Sequence, residues 1–177
     1  MRNFISRAAA LLLAGVMTAA VAGCGKNSDS KAKDTAKKWT ELDQTQITEA
    51  MGLGWNLGNQ LEASSGGLPC ETCWGNPEIP NELIDTVKAQ GFKTVRIPVS
   101  YLDMIGDGPD YKIDTDWLDR VQEVVDYVVN NDMFAIVNMH GDGYYTVDHS
   151  WLLCAEDDDK QTEIKDKYGK VWTQIAD

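Results

Sequence analysis

Polar side chains that could take part in catalysis stand directly against three apolar runs of the chain. Asn56 and Asn59 follow the first run, Arg96 lies within the second, and His140 follows the third. A buried guanidinium needs an anion or several hydrogen bonds, so Arg96 predicts a carboxylate nearby. A surface arginine on an edge strand and a structural histidine are the alternatives. Because parallel α/β proteins gather function where strands end, these positions predict a site there.

Aromatic residues are concentrated in the segments that follow the same apolar runs. They are Trp55, Trp74, Tyr101, Tyr144, Tyr145 and Trp151. Sugar rings present flat C–H faces that stack on aromatic rings, so such loops suit a saccharide groove. The alternative is that several of these rings simply cover the end of the sheet, and their number alone does not separate the two interpretations.

The cysteines and a histidine–aspartate group fit no metal or redox site. Cys70 and Cys73 have zinc-like spacing, but no second cysteine or histidine pair completes a zinc set, and the strand-then-helix setting of a redox motif is missing. No standard metal spacing is matched by the remaining group, His140, Asp142, Asp148 and His149. In an exported protein a disulfide that includes Cys154 stays open. We expect no metal and no cofactor.

Two strand-then-helix units must position these residues. The first begins with a short helix from Thr45 to Met51, followed by a buried strand within residues 52–57 and a loop to about Pro80. A helix then runs from Pro80–Asn81 to Gly91, where a C-terminal glycine belongs. A short strand follows at residues 94–97, and Pro98 marks its end or an edge position because proline donates no ladder hydrogen bond.

The second unit repeats this order with a clearer helix. Asp114 or Asp116 can cap it, and its apolar positions form one continuous stripe: Trp117, Leu118, Val121, Val124, Val125, Val128 and Val129. The unbroken run Phe134–Val137 predicts a strand buried on both faces. A further helix is predicted from Lys165 to Ile175.

Strands separated by single helices pair in parallel, which both an open doubly wound sheet and a (β/α)8 barrel satisfy. No glycine-rich phosphate fingerprint follows the first strand, so the barrel is favoured. A complete barrel needs about 250 residues. We therefore predict an α/β chain that holds only the N-terminal part of a (β/α)8 barrel, about three strands with their helices.

The first 40 residues read as a targeting segment and a tether. Arg2 and Arg7 precede an apolar run at residues 8–20, and the sequence at 21–24 ends in Cys24 and resembles a bacterial lipobox. This predicts a signal peptide over 1–24, lipidation of Cys24, a polar tether over 25–40, and the truncated N-terminal portion of the barrel from 41 to 177. The expected location is extracellular, anchored to the membrane by lipid. The net charge of -12 disfavours nucleic acid as a partner.

Four linked motifs carry a resemblance to a known family. They are Gly54-Trp55-Asn56-Leu57-Gly58-Asn59, Trp74-Gly75-Asn76-Pro77, Val95-Arg96-Ile97-Pro98-Val99-Ser100 and Asn138-Met139-His140-Gly141-Asp142-Gly143-Tyr144. In order and spacing, this set resembles glycoside hydrolase family 5, and most of all its endoglucanase and xyloglucanase branch, subfamily 4.

The resemblance implies a (β/α)8 barrel that hydrolyses β-1,4-glucan with retention of configuration. It implies that Arg96 hydrogen-bonds the nucleophile carboxylate and that His140 lines the central subsite. It further implies sugar contacts for Asn59 and Glu62, and the aromatic candidates for the substrate groove are Trp74 and Tyr144.

The family's two catalytic glutamates have no counterpart in these 177 residues, which contain no Asn-Glu-Pro. The expectation is therefore a front portion of a β-glucanase that is inactive by itself. A half barrel also exposes strand edges, so poor stability is expected for the isolated chain. The alternative is a non-catalytic, lipid-anchored glycan-binding protein. The full reading frame separates the two, because a restored Asn-Glu-Pro favours the enzyme.

Overall fold

The computed structural model describes residues 41–153 and 157–177. The sequence predictions for residues 1–40, including the lipidation of Cys24, and for Cys154 lie outside these ranges and stay predictions. The described elements are, in chain order, α1 (Gln44–Met51), β1 (Gly54–Asn56), β2 (Ser64–Ser65), β3 (Leu68–Pro69), α2 (Asn81–Ala89), β4 (Thr94–Val99), α3 (Thr115–Val129), β5 (Phe134–Met139) and α4 (Asp158–Ala176). Within the described ranges, no helix is both long enough and apolar enough to cross a bilayer.

Strands β1, β4 and β5 form a parallel sheet in that order. Helix α2 connects β1 to β4, and helix α3 connects β4 to β5. This is the repeating unit of a (β/α)8 barrel, and residues 41–153 and 157–177 hold three of its strands, as the sequence predicts. The short β2–β3 hairpin was not predicted and lies in the segment expected to be loop.

One face of the sheet carries the hydrophobic core. Val95, Ile97 and Val99 are fully buried there against apolar side chains of α2 and α3. Of the predicted α3 stripe, Val129 is exposed, so that position was wrong. The helix turns its stripe to the sheet through residues three and four apart, and Val129 lies at the margin of that face.

Two predictions of complete burial were wrong. Strand β1 is exposed at Gly54 and Asn56, and Ile136 in β5 is 38% exposed. Both strands pair only with β4 among the described elements, and their side chains alternate between the core face and the opposite face. Apolar composition predicted burial of both faces, but the core-face residues of β5 are only half-buried and Ile136 on the opposite face is exposed.

Strand β4 continues through Pro98 to Val99, so the predicted end at Pro98 was also wrong. Along this strand, the backbone of every second residue faces β1. The Arg96 carbonyl accepts from the Leu57 N–H, and the Ser100 N–H donates to the Leu61 carbonyl. Pro98 lies between these two positions, beyond the last β1 pair at Asn56. No strand partner requires its missing donor, which is why a central strand tolerates proline here.

The N-terminus of α3 distinguishes the two predicted caps. The Asp114 carboxylate accepts the Trp117 N–H at 3.0 Å, whereas Asp116 lies in the first turn. We expect Asp114→Ala to lower the free energy of unfolding by about 1 kcal/mol, because a helical N–H loses its acceptor. Asp114→Asn keeps an acceptor oxygen and should cost far less than Asp114→Ala, because Asn and Asp are about equally good N-caps. Urea unfolding measures both, and equal losses would exclude a capping role.

Candidate active site at the strand ends

The three parallel strands bring the predicted polar residues to one edge of the sheet. Asn56 pairs in register with Arg96, and Pro98 pairs with Asn138, which places Asn138 one step further along the same face. His140 follows β5 directly, and its N–H donates to the Val99 carbonyl at 2.8 Å. The sheet register therefore gathers Asn56, Arg96, Asn138 and His140, as expected for carboxyl ends of parallel strands.

Arg96 is held by neutral acceptors. Its Nη1 donates to Asn56 Oδ1 and its Nη2 donates to Asn138 Oδ1, each at 2.5 Å. The sequence predicted a carboxylate partner, but within residues 41–153 and 157–177 Arg96 makes no ion pair, so this prediction is not met there. The two amide oxygens each accept one hydrogen bond from the guanidinium but leave its charge uncompensated. The site can therefore accept an anionic group beside Arg96.

His140 lies next to this guanidinium. Its Nδ1 is 3.5 Å from Arg96 Nη2, and its ring meets the Tyr144 ring edge-on with centroids 5.4 Å apart. Arginine can only donate, so a hydrogen bond between the two makes Nδ1 the acceptor and assigns the ring N–H to Nε2. This leaves an N–H donor for a hydroxyl group on the side away from Arg96.

Two aromatic candidates present open ring surface. Trp74 is 53% exposed and Tyr144 is 51% exposed. The indole N–H of Trp74 donates to the Ser64 carbonyl at 3.0 Å, which fixes the ring against the β2–β3 hairpin. An exposed ring with a fixed edge suits stacking against an apolar sugar face.

Asn59 and Glu62 build a turn that follows β1. The Glu62 carboxylate is 9% exposed and accepts the Asn59 N–H at 2.6 Å and the Gln60 N–H at 2.9 Å. A Cβ at Gly58 would lie 2.6 Å from Asn56 Nδ2, so a larger residue there would displace the Asn56 amide that binds Arg96. In this arrangement Glu62 shapes the turn. The sugar contacts of Asn59 and Glu62 stay predictions.

Asp142 is a structural member of the site whose burial the sequence did not reveal. It is fully buried and accepts hydrogen bonds from the Tyr101 N–H at 3.1 Å and from Trp151 Nε1 at 2.6 Å. Burial raises the pKa of its carboxyl above the ordinary value, against these hydrogen bonds. Asp142 thereby joins the loop after β5 to the loop after β4. Only its position next to a strand end could have indicated this.

The cysteine prediction is resolved in part. Cys70 and Cys73 form a disulfide with each other, with a Cα–Cα distance of 5.4 Å, so a bond from either to Cys154 was the wrong alternative. Within the part of the chain that the structure describes, no group of three or more His, Cys, Asp or Glu side chains could hold a metal ion.

Comparison with known proteins places this arrangement in a family. Residues 59–177 match the profile of the family described as Cellulase (glycosyl hydrolase family 5). Endoglucanase A of Paenibacillus barcinonensis is 50% identical over 168 residues, which cover 95% of this chain and 40% of that protein. The chain thus spans about two fifths of the length of this relative, and a similar or smaller share of the others compared.

Solved structures agree with the sequence match. A family 5 xyloglucanase from Paenibacillus pabuli is 57% identical with a TM-score of 0.71, covering 74% of this chain and 36% of that one. A GH5-4 broad specificity endoglucanase from Ruminococcus champanellensis with bound cellotriose is 39% identical with a TM-score of 0.68, covering 76% and 39%. With Arg96 and His140 at the ends of parallel barrel strands, and with more than half of its length matched, this chain belongs to glycoside hydrolase family 5.

Proposed function

We propose that the full protein containing this chain hydrolyses β-1,4-glucan with retention of configuration. The observation that carries the proposal is the Arg96 guanidinium, held by two amide oxygens and beside His140, with its charge uncompensated among the described residues. Retaining hydrolysis needs two carboxylates about 5–5.5 Å apart, one as nucleophile and one as acid/base.

Arg96 provides for the first of these carboxylates. A cation within hydrogen-bond reach lowers the pKa of a carboxyl group and keeps it ionised, which a nucleophile requires. Asn56 and Asn138 bind both terminal nitrogens of the guanidinium. The position of the guanidinium therefore does not depend on the carboxylate. The charge is therefore preorganised, and little reorganisation is needed during the reaction.

The exposed aromatic rings and the neutral donors suit an uncharged polysaccharide. Trp74 offers a stacking surface, and His140 with Tyr144 offers a polar contact beside Arg96. The net charge of -12 does not oppose a neutral glycan. The xyloglucanase and endoglucanases among the relatives suggest cellulose, xyloglucan or mixed-linkage glucan as the substrate class. Anchoring of the protein through Cys24 stays a proposal from the sequence.

Expression of the complete reading frame around these 177 residues tests the proposal. We expect release of reducing sugar from carboxymethylcellulose and xyloglucan, and NMR should detect the β-anomer as the first product. The 177-residue chain alone should release none, because two carboxylates must act together. Initial release of the α-anomer would exclude retention. Glucan binding without hydrolysis by the complete protein would favour the non-catalytic, glycan-binding alternative.

A further inference from the structure

The loop formed by residues 70–79, here called the platform loop, carries the Trp74 ring. It connects the β2–β3 hairpin to α2. Inside it, the Cys70–Cys73 disulfide and the hydrogen bond from the Cys73 N–H to the Cys70 carbonyl, 3.1 Å long, fix the turn that precedes Trp74. Asn76 then donates from Nδ2 to the Asn59 carbonyl at 2.8 Å. The ring is thus held by a loop that has its own internal constraints.

A single arginine on α3 ties both ends of the platform loop to the body of the protein. Arg120 donates from Nε and Nη2 to the two oxygens of Glu71, at 2.9 and 2.8 Å. The same Nη2 donates to the Ile79 carbonyl at 3.0 Å, and the Ile79 N–H donates back to Glu71 Oε1 at 2.5 Å. Glu71 lies just after the start of the loop and Ile79 lies at its end. One bidentate pair therefore fixes both.

The pair is shielded from solvent, which makes its geometry restrictive. Glu71 is 9% exposed and the Arg120 side chain is 21% exposed. A planar guanidinium that is matched bidentately to a carboxylate accepts little angular change, unlike a single lysine contact. The remaining nitrogen of Arg120 contacts the exposed carboxylate of Glu123 on the same helix. The buried contact and the exposed contact can therefore be separated by mutation.

From this geometry we infer that Glu71 and Arg120 are positioning residues, which hold the platform loop so that Trp74 presents its ring to a β-linked glucose unit. The inference rests on the proposed function and adds to it the elements that set the stacking surface. The pair touches neither Arg96 nor His140 in the described structure, so it acts on substrate binding and not on bond cleavage. Loss of the pair should raise KM and leave kcat nearly unchanged.

A double-mutant cycle between Arg120 and Trp74 tests this inference on the full protein that the reading frame encodes. The probe is cellotetraose with sulfur in its glycosidic links, which resists hydrolysis, and calorimetry gives its dissociation constant. We expect Trp74→Ala to weaken binding about tenfold through loss of stacking. Arg120→Met alone should weaken binding about threefold to tenfold. The double variant should bind no more weakly than Trp74→Ala, because the arginine acts through the ring.

Matched variants separate positioning from general destabilisation. Glu123→Gln removes the exposed partner of the same arginine and should leave the dissociation constant unchanged. Glu71→Gln keeps the shape of the buried side chain and removes only its charge. It should weaken glucan binding as Arg120→Met does, and it provides the test if Arg120→Met folds poorly. The melting temperature of each variant reports folding separately from binding.

The outcomes distinguish this inference from the proposed function. If the losses from Arg120→Met and Trp74→Ala multiply in the double variant, Arg120 acts independently of the ring and the inference is overturned. If Trp74→Ala binds as tightly as the original protein, the platform loop has no stacking role and the inference is again overturned, while glucan hydrolysis can persist. Absence of any glucan binding or hydrolysis would contradict the proposed function itself.

Discussion

Replacement of Arg96 by methionine is expected to lower kcat on β-glucan by about 10²–10³-fold, the range seen when a preorganised charge-stabilising donor is lost. The guanidinium contacts Asn56, Asn138 and His140, so its removal eliminates the fixed positive charge at the strand ends. Arg96→Lys keeps a charge but loses the planar fork that satisfies both amide oxygens, so its loss should be smaller but still substantial. Steady-state kinetics on the full protein measure both.

The same variant should shift the pH dependence in a defined direction. A carboxylate beside Arg96 has its pKa lowered by the guanidinium, and without that cation its pKa rises. A nucleophile must be ionised, so the acid limb of the kcat/KM profile should move to higher pH in Arg96→Met. An unchanged acid limb would mean that no catalytic carboxylate lies next to Arg96.

Lys93→Met is the matched control, because Lys93 is an exposed cation near the start of the same strand. It should leave kcat within twofold of the original value. Folding should be nearly intact in Arg96→Met, because water can reach the exposed Asn56 once its partner is lost. If Arg96→Met keeps full activity while folded, the proposed role of this residue is wrong.

The parts of the fold that depend on local pattern were predictable from the sequence. The apolar stripe of α3 correctly predicted that helix. Gly91, which has a φ of +91°, marks the end of α2 as expected. The alternation of strands and helices gave parallel pairing, and with it the meeting of Arg96 and His140 at one edge of the sheet. Here local periodicity and chain topology are sufficient.

The features that depend on distant partners were not predictable. Whether Pro98 ends a strand depends on where β1 stops, which is decided some forty residues earlier in the chain. The exposure of Ile136 depends on which strands flank β5. The pairing of Glu71 with Arg120 joins residues 49 positions apart, and the local sequence around either residue does not indicate its partner. Such contacts are set by tertiary packing, and single-sequence patterns do not contain them.

Among these tertiary contacts, the hydrogen bonds accepted by Asp142 have the largest expected effect on stability. Asp142→Ala should lower the free energy of unfolding by about 3 kcal/mol, because the N–H of Tyr101 and the indole N–H of Trp151 lose a buried acceptor, at roughly 1–3 kcal/mol each. Asp148→Ala, an exposed change in the same loop, should cost less than about 0.5 kcal/mol. Urea unfolding of both variants gives the comparison, and equal losses would contradict the role of Asp142.

The pH dependence of this effect follows from the raised pKa of Asp142. Burial disfavours the ionised form in the folded protein, so the folded-state pKa lies above the ordinary value of 3.8. The folded protein binds the Asp142 proton more tightly than the unfolded chain does. The stabilisation that this gives the folded state is fully present below pH 3.8 and is lost as the pH rises through the folded-state pKa. The unfolding free energy of the original protein, relative to Asp142→Ala, should therefore decrease with rising pH over that interval. A difference that instead grows with pH would mean that the hydrogen bonds from Tyr101 and Trp151 outweigh desolvation and hold the carboxylate ionised.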